Sequence, residues 1–139
     1  MTGNLDPTAS QFDRFVADDP GGPAVMLNLL RYRQAADYSE SPDLDPGSPV
    51  TGREAYASYT AGVLPLLDGV GGGIEMYGGC HGTVIGPEGE EWDEIVLVRY
   101  PSSGAFVQMV SSPEYQAIQG HRNAALADSR LVRTSAIRP

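Results

Sequence analysis

The sequence predicts an α+β fold: a ferredoxin-like βαββαβ domain with a four-stranded antiparallel sheet, both helices on one face, and an extra N-terminal helix. Segments with strand spacing and segments with helix spacing follow one another in that order. The 139 residues suffice for one real core, so we expect a single domain over residues 1–139. Because the other face of such a sheet would stay bare in a monomer, we expect a C2 homodimer.

Composition excludes several classes of function. The chain is 41% hydrophobic and 19% charged, which is typical of a globular protein. Its net charge is −9, and all nine basic residues are arginines. Nucleic acids and anionic membranes bind proteins that carry clustered positive charge, so neither is an expected partner. The lack of lysine excludes Schiff-base chemistry and lysine-bound pyridoxal phosphate.

The sequence indicates neither a membrane span nor a bound metal. No apolar run approaches the roughly 20 residues that cross a bilayer, and the N-terminus does not resemble a signal peptide, so we expect a cytoplasmic protein. Cys80 is the only cysteine and there are two histidines, so neither a disulfide nor a Cys- or His-rich metal site can form within one chain. Nucleophile-elbow, phosphate-loop and zinc-protease motifs are missing. We expect no metal and no cofactor.

Capping patterns mark the predicted helices. Thr8 with Gln11, and Thr51 with Glu54, have capping-box spacing, and Ser112-Pro113 is typical of a helix start. Apolar residues at helical spacing follow each of these starts. Helices are predicted at 7–19, 51–67 and 102–111, and from 113 to about 126.

Short apolar or alternating runs mark the predicted strands at 24–32, 73–85, 92–100 and 130–137. Residues 86–90 read Gly-Pro-Glu-Gly-Glu and predict a hairpin turn. Residues 34–50 contain three prolines among polar residues and predict a long loop. That loop fits either a lid or a surface insertion.

Several segments resemble the domain of unknown function 1330 (DUF1330) family. They are 26–32, 54–59, 92–101 and 112–116, the last followed by Arg122, and the resemblance spans about 24–137. The family belongs to the dimeric α/β-barrel superfamily, so the resemblance implies a ferredoxin-like dimer. In that superfamily the pocket commonly lies between the sheet and its helices. Superfamily members include cofactor-free monooxygenases, isomerases, lyases and haem enzymes. For this chain, these activities are an analogy based on fold alone.

The predicted second strand carries the candidate catalytic residues. Glu75, Tyr77 and His81 share one parity, so a regular strand would point all three to the same face. His81 suits general-base chemistry at neutral pH, with Glu75 beside it. The alternative is a strand-end histidine that faces solvent or the dimer interface.

Candidate ligand-binding residues lie on other elements. Asn28 interrupts an apolar strand, where its amide could orient a ligand or bond to neighbouring backbone. Arg99 on the third strand could clamp an anion or pair with an acidic neighbour. The remaining candidates are tyrosines and an arginine on helices, for which core packing is the alternative: Tyr56, Tyr59, Tyr115 and Arg122.

Two functions from different classes fit these residues. The first is a small-molecule-binding, cofactor-independent enzyme of isomerase, lyase or monooxygenase type, in catabolic or specialised metabolism. It would use His81 or a tyrosine as acid or base and an arginine or Asn28 to hold an oxyanion. The second is a non-catalytic dimer that binds a small ligand or has a structural role, which the lack of a strong acid–base motif favours.

Overall fold

A computed structural model describes residues 3–137. Four strands form one antiparallel sheet in the order β2-β3-β1-β4, which confirms the predicted ferredoxin-like α+β fold. None of the helices within these residues is long and apolar enough to cross a bilayer. The elements are α1 (Ala9–Ala17), β1 (Ala24–Tyr32), a 3₁₀ turn (Pro42–Leu44), α2 (Gly52–Gly69), β2 (Gly73–Gly79), β3 (Glu94–Tyr100), α3 (Ser103–Val110), α4 (Pro113–Ala125) and β4 (Leu126–Thr134).

Local capping explains where the helices begin. Thr8 and Thr51 each accept a hydrogen bond from the third helical residue, whose side chain bonds back to the cap, so both predicted capping boxes are present. Ser102 and Ser112 cap α3 and α4 through their hydroxyls. These bonds satisfy backbone amides that have no partner inside the helix, which is why the predicted and observed starts lie within two residues of each other.

The register of β1 divides the sheet into two faces. Asn28 lies opposite Val96 on β3 and Leu131 on β4, and these side chains point toward the helices. We call this the helical face. The next position, Leu27, lies opposite Leu97 and Val132 on the other side, which we call the open face.

A row of apolar side chains crosses all four strands of the open face. One row consists of Met76, Leu97, Leu27 and Val132, which are consecutive neighbours in the pairing register. Met76 and Val132 are about half exposed, at 50% and 52%. In one isolated copy, this part of the apolar surface therefore remains in contact with water.

The second strand differs from its prediction in two ways. It ends at Gly79 instead of residue 85, because its partner β3 begins only at Glu94 and residues 80–93 form a loop. An irregularity between Ile74 and Met76 also shifts the register by one residue. The alternation of residue types along a sequence cannot reveal such a bulge, because a residue is extra only relative to the strand with which it pairs.

The loop 80–93 is held against the sheet by Trp92. The guanidinium carbons of Arg31 and Arg130 lie 5.5 and 5.0 Å from the centroid of its ring. Asp93, predicted within a strand, precedes β3, and its carboxylate accepts a hydrogen bond from the backbone amide of Tyr32.

The last strand begins earlier than predicted. The prediction placed it at 130–137, but α4 passes directly into β4 at Leu126. Leu126 and Ala125 are both fully buried, so the junction lies in the core. The apolar pattern at this junction fits a helix as well as a strand, and pairing with β1 decides in favour of the strand.

The loop 34–50 packs against α4. The Tyr38 hydroxyl lies 2.8 Å from Nδ1 of His121, and the backbone amide of Asp37 donates to the Ala124 carbonyl. Gly120 lies so close to the loop that an added Cβ would stand 2.4 Å from the Ser41 hydroxyl. These contacts lie away from the space between helices and sheet.

Gly52 is expected to tolerate no side chain, whereas Gly69 should accept one. An added Cβ at Gly52 would lie 2.3 Å from the Arg33 carbonyl oxygen and 2.5 Å from that of Ala125, while Gly69 has nothing within 4 Å. We expect Gly52→Ala to lower the free energy of unfolding by about 2 kcal/mol or more. Gly69→Ala, at the end of the same helix, should raise it by up to about 1 kcal/mol. Urea denaturation of both variants checks this, and equal effects would contradict the close approach.

Candidate functional site

A cavity of about 860 Å³ lies between the helical face and the helices. Asn28, Val96 and Val98 form part of its floor, and tyrosines from several elements form its walls. The N-terminal segment and α1 border it on the β4 side. Its apolar lining includes Phe15, Met26, Val63, Phe106, Met109 and Val110.

Four tyrosines concentrate hydroxyl groups in the cavity: Tyr56, Tyr59, Tyr100 and Tyr115. The hydroxyl oxygens of Tyr59 and Tyr115 lie 3.0 Å apart and share a hydrogen bond. Within residues 3–137, no protein group hydrogen-bonds to the hydroxyls of Tyr56 and Tyr100. These two are therefore available to a ligand as donors or acceptors.

Burial raises the pKa of three of these tyrosines. It raises the pKa of Tyr56 to about 12, although the nearby charge of Arg122 acts in the opposite direction. Burial also raises the pKa of Tyr59 and of Tyr100 well above the usual tyrosine value. All three side chains are thus neutral hydrogen-bond donors near pH 7, rather than phenolates ready to accept a proton.

Arg122 brings a positive charge into the cavity. Its side chain is 8% exposed, and its Nη1 donates to the Leu5 carbonyl oxygen at 2.8 Å. No carboxylate of the described residues lies within 4 Å of the guanidinium. It projects from α4 about two turns beyond Tyr115, and both side chains line the cavity.

Asn28 supplies an amide on the floor of the cavity. Its Nδ2 donates to the carbonyl oxygens of Met26 and Val96, at 3.3 Å each. These contacts satisfy the donor side of the amide. Within the described chain, Oδ1 receives no hydrogen bond from the protein, so it is left as an acceptor in the cavity.

A second polar group, formed by Tyr32, Arg53, Tyr77 and Glu94, borders the cavity at Tyr77. The hydroxyls of Tyr32 and Tyr77 both donate to Oε1 of Glu94, the latter at 2.8 Å, and Arg53 pairs with Oε2. The Arg53 guanidinium also lies 4.8 Å from the centroid of the Tyr32 ring. We call these four residues the Glu94 cluster.

The Glu94 cluster fixes the charge state of its members. Burial acts to raise the pKa of Glu94, but the hydrogen bonds from Tyr32 and Tyr77 and the charge of Arg53 outweigh it, and the net shift is downward. Burial, and then the bond to the carboxylate, raises the pKa of Tyr32. Glu94 is therefore ionised and both tyrosines are neutral at pH 7.

The structure separates the predicted site residues into two groups. Glu75, His81 and Arg99 do not line the cavity. The six that line it are Asn28, Tyr56, Tyr59, Tyr77, Tyr115 and Arg122.

The prediction that Glu75, Tyr77 and His81 share a face is wrong. The bulge in β2 turns Tyr77 to the helical face, opposite Val96, while Glu75 lies 3.7 Å from Arg99 of the open face. His81 follows the end of the strand, in the loop 80–93. Arg99 thus has an acidic neighbour, Glu75, as in the alternative prediction of an ion pair in place of a bound anion.

Sequence reasoning missed Tyr32, Arg53, Glu94 and Tyr100. A signal existed for two of them, because Glu94 and Tyr100 have the parity of Val96 and Val98 on β3. A carboxylate at such a position needs partners. These come from β1, α2 and β2, which only the tertiary structure brings together.

The cavity offers hydrogen-bond donors, one amide acceptor and a positive charge within apolar walls. It suits a molecule with an oxygen-bearing end and an apolar body. Across residues 3–137, no cluster of three or more His, Cys, Asp or Glu side chains has the geometry of a metal site.

Glu94→Gln tests the Glu94 cluster. Loss of the charge weakens three interactions, so we expect the free energy of unfolding to fall by about 1–3 kcal/mol at pH 7. Because the pKa of Glu94 is lowered by folding, its contribution is present above the ordinary value of 4.5 and is lost as the pH falls below it. The difference between wild type and variant should therefore shrink at acidic pH.

Urea denaturation at pH 7 and pH 4 measures this difference. Glu88→Gln, in the exposed part of the loop 80–93, is the matched control and should change stability by less than about 0.5 kcal/mol. A Glu94→Gln effect that is equal at both pH values would contradict the assigned charge state.

Comparison with known proteins places the chain among proteins of similar fold. Two crystal structures of one protein from Rhodopseudomonas palustris, described as of unknown function and in one case methylated, are 40% and 41% identical to it. Their TM-scores are 0.87 and 0.89. They cover 99% and 100% of this chain, and 100% and 98% of their own.

Two more distant structures share the fold at 13% identity. One is a dimeric ferredoxin-like protein of unknown function from Bacteroides fragilis, with a TM-score of 0.51 over 83% of this chain and 97% of its own. The other is a candidate antibiotic biosynthesis monooxygenase from Caulobacter crescentus, with a TM-score of 0.50 over 88% and 96%.

No curated protein matches this sequence. The family model of domain of unknown function 1330 matches residues 47–135, which include α2, the three following strands and the Tyr115–Arg122 segment. On this match, over more than half of its length, the chain belongs to the DUF1330 family.

Proposed function

We propose that this protein binds a small organic molecule in the cavity between the sheet and the helices. One observation carries the proposal: polar groups that residues 3–137 leave wholly or partly without hydrogen-bond partners face a cavity with extensive apolar walls. They are the hydroxyls of Tyr56 and Tyr100, Oδ1 of Asn28 and the guanidinium of Arg122. The volume of about 860 Å³ lies within the range of small-molecule sites.

Cofactor-independent catalysis is the finer form of this proposal. Neutral hydroxyls held in a cavity can donate to an oxyanion that develops during an isomerase, lyase or oxygenase reaction. With His81 outside the cavity, proton transfer would fall to a tyrosine or pass through Tyr77 to Glu94. The candidate monooxygenase from Caulobacter crescentus has a similar fold, and this supports the proposal as an analogy of fold only.

Binding without chemistry is the alternative. Neither His81 nor His121 lines the cavity, and the pKa values of Tyr56, Tyr59 and Tyr100 are raised further from neutrality. A site of this kind can hold a ligand tightly while offering no group suited to take a proton at pH 7.

Incubation with a metabolite extract separates these two functions. We expect mass spectrometry of the washed protein to show a retained small molecule, and of the supernatant to show a product that grows with time. Tyr56→Phe removes one unpartnered hydroxyl and should slow product formation by about tenfold or more. The control is Tyr38→Phe, whose hydroxyl bonds to His121 outside the cavity.

Each outcome has a clear meaning. A retained molecule that is never altered would establish the binding alternative and exclude catalysis on that molecule. If no molecule is retained at all, the proposed binding function fails.

We propose further that two copies pair through the open face of the sheet. The apolar row Met76, Leu97, Leu27 and Val132 spans all four strands, and a second copy related by C2 symmetry would bury it. The Bacteroides fragilis relative, which shares the fold, is dimeric. The cavity lies on the opposite face and would stay accessible.

Leu97→Arg tests this pairing. An arginine at the centre of the open face should disfavour a buried apolar contact, so we expect the variant to elute as a monomer while wild type elutes as a dimer. Leu64→Arg on α2, where the leucine is 43% exposed, is the control and should remain dimeric. Size-exclusion chromatography with light scattering gives the masses, and a wild-type monomer at micromolar concentration would overturn the proposal.

A further inference from the structure

We infer that the ligand of the cavity is a monocarboxylate, seated with its carboxylate on Arg122 and its apolar body against the aromatic and aliphatic wall. This inference rests on the proposed binding function and specifies its ligand class. It begins with the charge of Arg122. A guanidinium stays protonated in proteins and carries five N–H donors in a planar fork. Here the protein provides one acceptor, the Leu5 carbonyl oxygen.

A buried charge without a counterion is costly, and buried ions are normally paired. Arg122 is 8% exposed, yet its chain has a net charge of −9 and supplies no carboxylate within 4 Å among residues 3–137. The chain is rich in acidic side chains, so their number does not explain why Arg122 lacks a carboxylate partner among these residues. An anion from outside the chain would satisfy the charge.

The other charged groups of the cavity wall already have partners. Arg130 pairs with Asp128 at 2.8 Å, and Arg133 lies 4.0 Å from Asp19 and donates to the Phe15 carbonyl. Asp6 accepts from the side chain of Gln119. Of the charged side chains that line the described cavity, Arg122 alone lacks a polar side-chain partner. A single negative charge on the ligand would give the Arg122 guanidinium the counterion that it lacks among residues 3–137.

The surroundings of Arg122 fit a carboxylate in particular. The guanidinium lines the same cavity as the hydroxyl-bearing side chains of Tyr56 and Tyr59. Tyr59 bonds in turn to Tyr115. A guanidinium fork binds the two oxygens of a carboxylate in parallel, and a neutral tyrosine hydroxyl can donate to the same oxygens.

One wall of the cavity fits an apolar body. Phe106, Met109 and Val110 line it from α3, and Phe15 lines it from α1. These side chains offer no hydrogen-bond partners to a sugar or a polyol. An aromatic or branched aliphatic monocarboxylate would satisfy both ends of the cavity.

Calorimetric titration with three probes of one shape tests the inference: phenylacetate, phenylacetamide and phenethylamine. In wild type we expect phenylacetate to bind about tenfold or more tightly than phenylacetamide, and phenethylamine to bind weakest. Arg122→Gln keeps a donor for the Leu5 carbonyl and removes the charge. It should weaken phenylacetate binding by about tenfold and leave phenylacetamide within about threefold.

Arg130→Gln is the control, since Arg130 borders the cavity but its guanidinium pairs with Asp128 and lies over the Trp92 ring, and it should leave both affinities within about threefold. The probe comparison in wild type needs no variant, so it decides the matter even if Arg122→Gln fails to fold. Equal affinity for phenylacetate and phenylacetamide would overturn the carboxylate and leave the binding function intact. If no probe binds at millimolar concentration, the monocarboxylate class is overturned, and the metabolite-extract experiment still decides the proposed function independently.

Discussion

The pairing register of the central strand β1 determines the chemistry of both faces of this sheet. Because side chains alternate along a strand, placing Asn28 opposite Val96 and Leu131 also places Leu27 opposite Leu97 and Val132. One arrangement of backbone hydrogen bonds thus puts an amide into the cavity and an apolar row onto the open face. A slip of one residue would exchange the two sets and bring the leucines under the helices.

Tyrosine side chains give the cavity its shape and its chemical character. The rings of Tyr56, Tyr59 and Tyr115 pack edge to face or tilted, with centroids 5.3 and 6.1 Å apart along the series. Burial raises the pKa of Tyr56 and of Tyr59, so their hydroxyls are neutral donors at physiological pH. The Arg122 charge reinforces this character, and an anionic group would be favoured over a cation for both reasons.

The Glu94 cluster complements this arrangement at the border of the cavity. Its carboxylate is compensated by Arg53 and two tyrosines, so it adds no free negative charge next to Arg122. Tyr77 belongs to the cluster and also lines the cavity. A ligand that contacts the Tyr77 side chain would therefore feel the charge of Glu94 through the hydrogen bond between the two residues, without touching the carboxylate itself.

The sequence by itself determined the helix starts, the strand β1 and the βαββαβ order, because these depend on local capping bonds and local apolar spacing. It also singled out Tyr56, Tyr59, Tyr115 and Arg122 as side chains to follow. It misplaced Glu75 and His81, because a bulge and the end of a strand depend on the partner strand β3. Only the tertiary structure decided that Arg122 has no counterion among residues 3–137 and that Glu94 has three partners, because pairing between charges depends on distances across elements far apart in the chain.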